Sequence, residues 1–88
     1  MVILVSYDLH KPVKDYEKLH VAIKNLGNWW HYLESVWLIE TNSSASDIGK
    51  HLIQFIDKDD RLTAIRVSKD YDGWLPTEAW NWLNAKVM

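Results

Sequence analysis

Apolar residues fall along this chain in blocks that switch between two periods. Val2, Ile3, Leu4 and Val5 form an unbroken apolar run, and polar character enters only at Ser6 and Asp8, on alternate positions. This predicts a strand over residues 2–9 that needs cover on both faces. His10-Lys11-Pro12 reads as a loop, because proline breaks a strand ladder and biases the residues before it away from helix. From Asp15 to Leu26 the period is helical: Tyr16, Leu19, Ile23 and Leu26 line one face, and Glu17, Lys18 and Lys24 take the other. Gly27 is a suitable residue to end this helix.

Two strands are expected next, Trp29–Glu34 and Ser35–Thr41, joined tightly around Leu33-Glu34-Ser35. Both are rich in aromatic and β-branched residues. In the second of them Val36 and Leu38 alternate with Trp37 and Ile39, so it too is apolar on both faces. A second helix is expected over Ser44–Asp57. Ser44-Ala45-Ser46-Asp47 resembles a capping box, and Ile48, Leu52, Phe55 and Ile56 form the apolar stripe. Asp57-Lys58-Asp59-Asp60 reads as a solvated, charged turn; it lacks the residue pattern of a calcium-binding loop. Arg61–Ser68 is the last strand, with Leu62, Ala64, Ile65 and Val67 at its apolar positions. After a turn-rich loop from Lys69 to Gly73, Pro76 or Thr77 opens a final helix running to about Lys86. Trp80, Leu83 and Val87 share one face of it, and Trp82 is expected to point elsewhere.

The fold class is therefore α+β. A ferredoxin-like βαββαβ sandwich is expected over residues 1–68, followed by a loop and an additional C-terminal helix over 69–88, all in one domain. Two helices on one side leave the other face of the sheet apolar and open. A second copy of the chain is the simplest cover, and the C-terminal helix is the competing one.

Composition narrows the function classes. The 88 residues contain no cysteine, which removes disulfides, zinc–thiolate sites and cysteine nucleophiles. A secreted domain this small usually needs such staples, so a reducing, cytoplasmic compartment is expected. The short N-terminal apolar run, with no basic residue before it, makes neither a signal peptide nor a membrane span. A net charge of −2 argues against general coating of DNA, since that affinity comes from Lys and Arg neutralising phosphates. Six tryptophans are the compositional oddity. No glycine-rich phosphate loop, Gly-x-Ser-x-Gly or His-Glu-x-x-His motif occurs.

A first strand ending in Ser6-Tyr7-Asp8, then a helix, then Ser35-Val36-Trp37 opening the third strand, resembles the small prokaryotic CRISPR spacer-acquisition subunit, the Cas-two family. Asp59-Asp60 ahead of Leu62 matches the acidic turn before that family's last strand. The chain is also similar to SinR-like small proteins and, more distantly, to VapD-type toxins. The resemblance covers roughly residues 1–68. It implies a ferredoxin-like fold and a homodimer across sheet faces. It also implies an aspartate from each copy, here Asp8, holding Mg²⁺ at the dimer axis for cleavage of RNA or DNA. Two features depart from the family: Trp29, Trp30 and His31 stand where its second strand often carries arginines, and Tyr71–Met88 reads as loop and helix where the family has a short strand.

Asp8 is the sharpest candidate for catalysis and for metal binding. A lone carboxylate holds Mg²⁺ poorly, whereas two related by symmetry, with waters and a phosphate, suffice. The alternative is that Asp8 caps the strand end and hydrogen-bonds the Lys11-Pro12 loop. His10, two residues on, would share a side with Asp8 in an extended backbone and could shuttle protons. The alternative for His10 is an exposed loop histidine. His20, His31 and His51 lack a ligand spacing and read as helix-face or strand-face residues. Trp37, Trp74 and Trp82 with Arg66 are candidates for stacking unpaired bases, against the alternative that most of the tryptophans serve the core or an interface. Three functions follow: a homodimeric nuclease, a non-catalytic dimeric module that binds a protein partner, and a VapD-like ribonuclease.

Overall fold

The two segments read as apolar on both faces are the two central strands of the sheet. The computed structural model describes residues 1–10 and 16–87. Its elements are β1 (Val2–Asp8), α1 (Glu17–Lys24), β2 (Asn28–Leu33), β3 (Val36–Glu40), α2 (Ala45–Leu52), a 3-10 turn (Ile53–Phe55), β4 (Arg61–Arg66) and α3 (Thr77–Lys86). The four strands lie in the order β2-β3-β1-β4, and every neighbouring pair is antiparallel. The protein is a mixed α+β domain. The expected helix start at Asp15 and the Lys11-Pro12 loop lie outside the described residues.

Register sorts the side chains. Ile3 pairs with Ile39 and Val5 with Trp37, so these four share one face. Leu19 and Ile23 of α1 and Ile48 and Leu52 of α2 close over them in a core where all eight are buried. Each full burial contributes about 1.5–3 kcal/mol. The Ser44 hydroxyl accepts from Asp47 N at 3.1 Å and starts α2, the N-cap that the sequence pattern predicts. The helix is shorter than expected: beyond Leu52 the chain tightens into the 3-10 turn, which keeps Phe55 and Ile56 against the core.

The opposite face carries a second core. Val2, Leu38 and Trp30 pack there against Ala79, Leu83 and Val87, with Leu4, Val67, Tyr71, Leu75, Trp80 and Trp82 around them. The C-terminal helix covers this face at the Val2 end of β1. The expectation for Trp82 is corrected. Its indole meets Trp30 edge-on at 6.4 Å and belongs to this cluster, because β2 places Trp30 beneath the helix flank. Lys86 Nζ, 3.3 Å from Glu40 Oε1, fastens the end of α3 to β3.

Gly27 joins α1 to β2 at φ +158°, beside the Glu40 carbonyl. A Cβ at this position would collide with that carbonyl oxygen, so glycine is required here by close backbone approach.

Candidate functional site

Among the described residues, no helix covers the second face at its Asp8 end. Thr63 of β4 and Val36 of β3 flank Ser6, and Arg61 pairs with Asp8. Asp8, Arg61 and Thr63 are exposed, and Ile65 on the same face is 56% exposed. Ser6, Tyr7, Asp8, Arg61, Leu62 and Thr63 line a shallow groove of about 280 Å³.

Asp8 and His10 come together here. His10 Nε2 lies 3.2 Å from Asp8 Oδ2, with both side chains more than half exposed. The extended end of β1 sets this contact, since residues two apart face the same way. In the neutral tautomer that donates Nε2–H to this carboxylate, the lone pair lies on Nδ1. Arg61 Nη1 donates to the carbonyls of Lys58 at 3.2 Å and Asp60 at 3.0 Å. Its remaining guanidinium donors make no hydrogen bond among the described residues and can receive an anion.

The site is held from below by a residue the sequence reading misplaced. Asp60, assigned there to a solvated turn, is buried at 4% exposure. Its Oδ1 accepts from the backbone N–H of His10 at 2.9 Å, and its Oδ2 accepts from that of Asp57 at 2.9 Å. The Tyr16 hydroxyl lies 3.0 and 2.9 Å from the two oxygens. One carboxylate therefore ties the end of β1, the start of α1 and the entry to β4, and fixes the backbone of His10. Buried carboxylates survive when surrounded by donors, and this one is. In the sequence, its place within an Asp-rich run disguised it.

The tryptophan and arginine candidates do not converge. Trp37 is 3% exposed, and its Nε1 donates to the Tyr7 hydroxyl at 2.9 Å. The ring of His31 stacks on it at 3.9 Å, and Nδ1 of that histidine donates to Val36 O at 2.8 Å. Arg66 pairs with Ile3, at the other end of the sheet from Asp8. Trp82, on α3, is half-buried, and Trp74 stands at 98% exposure. A roomier groove of about 550 Å³ runs between α1 and α2, lined by Val21, Ala22, Leu26 and Phe55 with Glu17, Lys18, Asn25 and His51. It shares no residue with the Asp8 groove.

The Asp8 donor set of one chain does not fit Mg²⁺. It offers one carboxylate, already 3.2 Å from His10 Nε2, whereas this ion asks for several oxygens in octahedral array. No group of three His, Cys, Asp or Glu suited to a metal occurs among the described residues. No described helix is long and apolar enough to cross a membrane. No family model matches the chain.

Proposed function

We propose that this chain is a ferredoxin-like protein of the Cas-two and SinR-like kind that acts on nucleic-acid phosphodiesters at the Asp8 end of its sheet. The strand order β2-β3-β1-β4, with α1 and α2 together on one face, supports the fold assignment. The observation that carries the activity is the contact between Asp8 and His10 at 3.2 Å, on an uncovered end of the sheet with Arg61 in register beside it. Arg61 lines the same groove as Asp8, and an acid–base pair with an arginine at hand is the combination that phosphodiester cleavage needs: one group to move a proton and one to steady the phosphate. The homodimer implied by the resemblance would add a second Asp8 and so a second carboxylate for Mg²⁺. Its twofold contact must use the uncovered half of the face, around Val36, Thr63 and Ile65.

The test is cleavage of end-labelled single-stranded RNA and DNA, with Mg²⁺ and with chelator, by the wild-type protein and by Asp8→Asn. Cleavage lost in Asp8→Asn supports the proposal. Cleavage of neither polymer under either condition refutes it.

The isolated, exposed Trp74 and the uncovered Ile65 favour a second reading, a dimeric module that presents apolar side chains to a protein partner. Light scattering on the wild type and on Ile65→Glu separates the readings. A dimer that Ile65→Glu splits, in a protein inert toward RNA and DNA, supports the module.

A further inference from the structure

We infer that the Asp8–His10 site cleaves RNA by transesterification, using the 2′-hydroxyl of the substrate as nucleophile, and does so within a single chain. This rests on the phosphodiesterase reading and specifies its chemistry. Three observations carry it. First, α3 already covers the Val2 end of the second face, so much of the apolar surface that would hold two copies face to face, and bring a second Asp8 near, is used within the chain. Second, the one-chain donor set is a carboxylate, an imidazole and a guanidinium, which suits proton transfer and anion binding better than it suits a hard divalent cation. Third, the backbone of His10 is anchored by the buried Asp60 at 2.9 Å while its ring stays exposed, so the imidazole is both positioned and reachable.

With Nε2 protonated toward Asp8, His10 Nδ1 takes the proton from the ribose 2′-hydroxyl. The 2′-oxygen forms its bond to phosphorus, and the bond from phosphorus to the 5′-oxygen of the next nucleotide breaks. The leaving oxygen takes a proton from water, and the hydroxide so formed takes the proton from His10 Nδ1, which restores the neutral imidazole. The free donors of Arg61 bind the non-bridging phosphate oxygens as charge builds on them. The products are a 2′,3′-cyclic phosphate and a 5′-hydroxyl end; no water is added and no metal enters. DNA lacks the nucleophile and is not cut by this route.

The experiment uses the full-length protein, one RNA oligonucleotide and the same oligonucleotide with a single deoxyribose, each with EDTA and with Mg²⁺, and identifies the end groups. The expected result is EDTA-resistant cleavage to cyclic-phosphate ends, with no cut on the 3′ side of the deoxyribose. His10→Ala, purified in parallel, should cut at least about 100-fold more slowly, the usual contribution of a general base. His10→Ala is an exposed change, so its fold can be checked by its circular dichroism. Mg²⁺-dependent products with 3′-hydroxyl and 5′-phosphate ends would overturn this inference and leave the phosphodiesterase reading standing. Cyclic products that persist in His10→Ala would overturn the role of His10. No cleavage of any substrate would overturn both.

Discussion

Asp60 offers the most direct test of how the site is built. In Asp60→Asn the side chain keeps its shape but exchanges one acceptor oxygen for an amide donor. In one rotamer the amide faces the N–H of His10, and in the other the N–H of Asp57, since Oδ1 serves the first and Oδ2 the second. Either way two donors meet, and one backbone N–H loses its acceptor at a site 4% exposed. A hydrogen bond to a charged acceptor contributes about 1.5–3 kcal/mol, and a buried group left unsatisfied costs about 1–3 kcal/mol. Allowing for partial relaxation, Asp60→Asn should lower stability by about 2–4 kcal/mol, a large share of what a domain of this size has. Tyr16→Phe leaves both backbone bonds in place and should cost only about 1–2 kcal/mol. Urea unfolding followed by tryptophan fluorescence measures both, with the slope checked for constancy. A loss below about 0.5 kcal/mol for Asp60→Asn, within the range of ordinary surface changes, would refute the account of Asp60 as a buried clamp.

Three further outcomes follow from single contacts. Gly27→Ala should destabilise by more than about 1 kcal/mol, because the new Cβ meets the Glu40 carbonyl oxygen; urea midpoints measure it, and no loss would mean that this junction relaxes freely. Trp37→Phe should cost about 1–3 kcal/mol more than Trp30→Phe, since Trp37 Nε1 donates to Tyr7 whereas the buried Trp30 Nε1 has no hydrogen-bond partner among the described residues; equal costs in paired urea titrations would contradict this. Glu40 is held below the ordinary carboxylate value first by the Asn28 amide, 2.8 Å away, and then by Lys86, with desolvation opposing. A depressed carboxylate contributes stability that is present above the unfolded-state value and lost as pH falls through the folded one. Acid should therefore loosen the end of α3 in wild type, and this acid dependence should shrink in Glu40→Gln, as read by tryptophan emission.

Much of the fold was legible because periodicity reports burial directly. The unbroken apolar run at Val2–Val5 and the two-sided strand at Val36–Ile39 marked the central strands, and the spacing of Leu19, Ile23, Ile48 and Leu52 marked the faces that cover them. The contact between Asp8 and His10 was legible for the same reason, from the two-residue repeat of a strand. Asp60 was not. Three aspartates within four residues look alike in sequence, and only the backbone donors that converge on the last of them set it apart. Trp82 was misjudged because its place on the α3 helical wheel says nothing of the Trp30 ring that β2 raises beside it.

The unequal ends of the second face lead to a final prediction about self-association. At the Val2 end, α3 buries apolar side chains that would otherwise need a partner. If the helix substitutes for a partner, releasing it should restore the need. Leu83, 4% exposed between Val2, Leu38 and Trp30, is the residue to change. Loss of a buried leucine alone costs about 2–5 kcal/mol, and an unpaired carboxylate in its place adds to this. Leu83→Asp should therefore exceed what the short α3 gains by docking and detach it, while the α1–α2 core on the opposite face stays closed. The bared strip of Val2, Leu4, Leu38 and Trp30 should then find cover in a second copy. Light scattering across a concentration series should show association in Leu83→Asp that is stronger than in the wild type, with a blue shift of tryptophan emission as protein concentration rises. A folded Leu83→Asp that stays monomeric at all concentrations would show that this face tolerates water, and the reason given for α3 being there would fail.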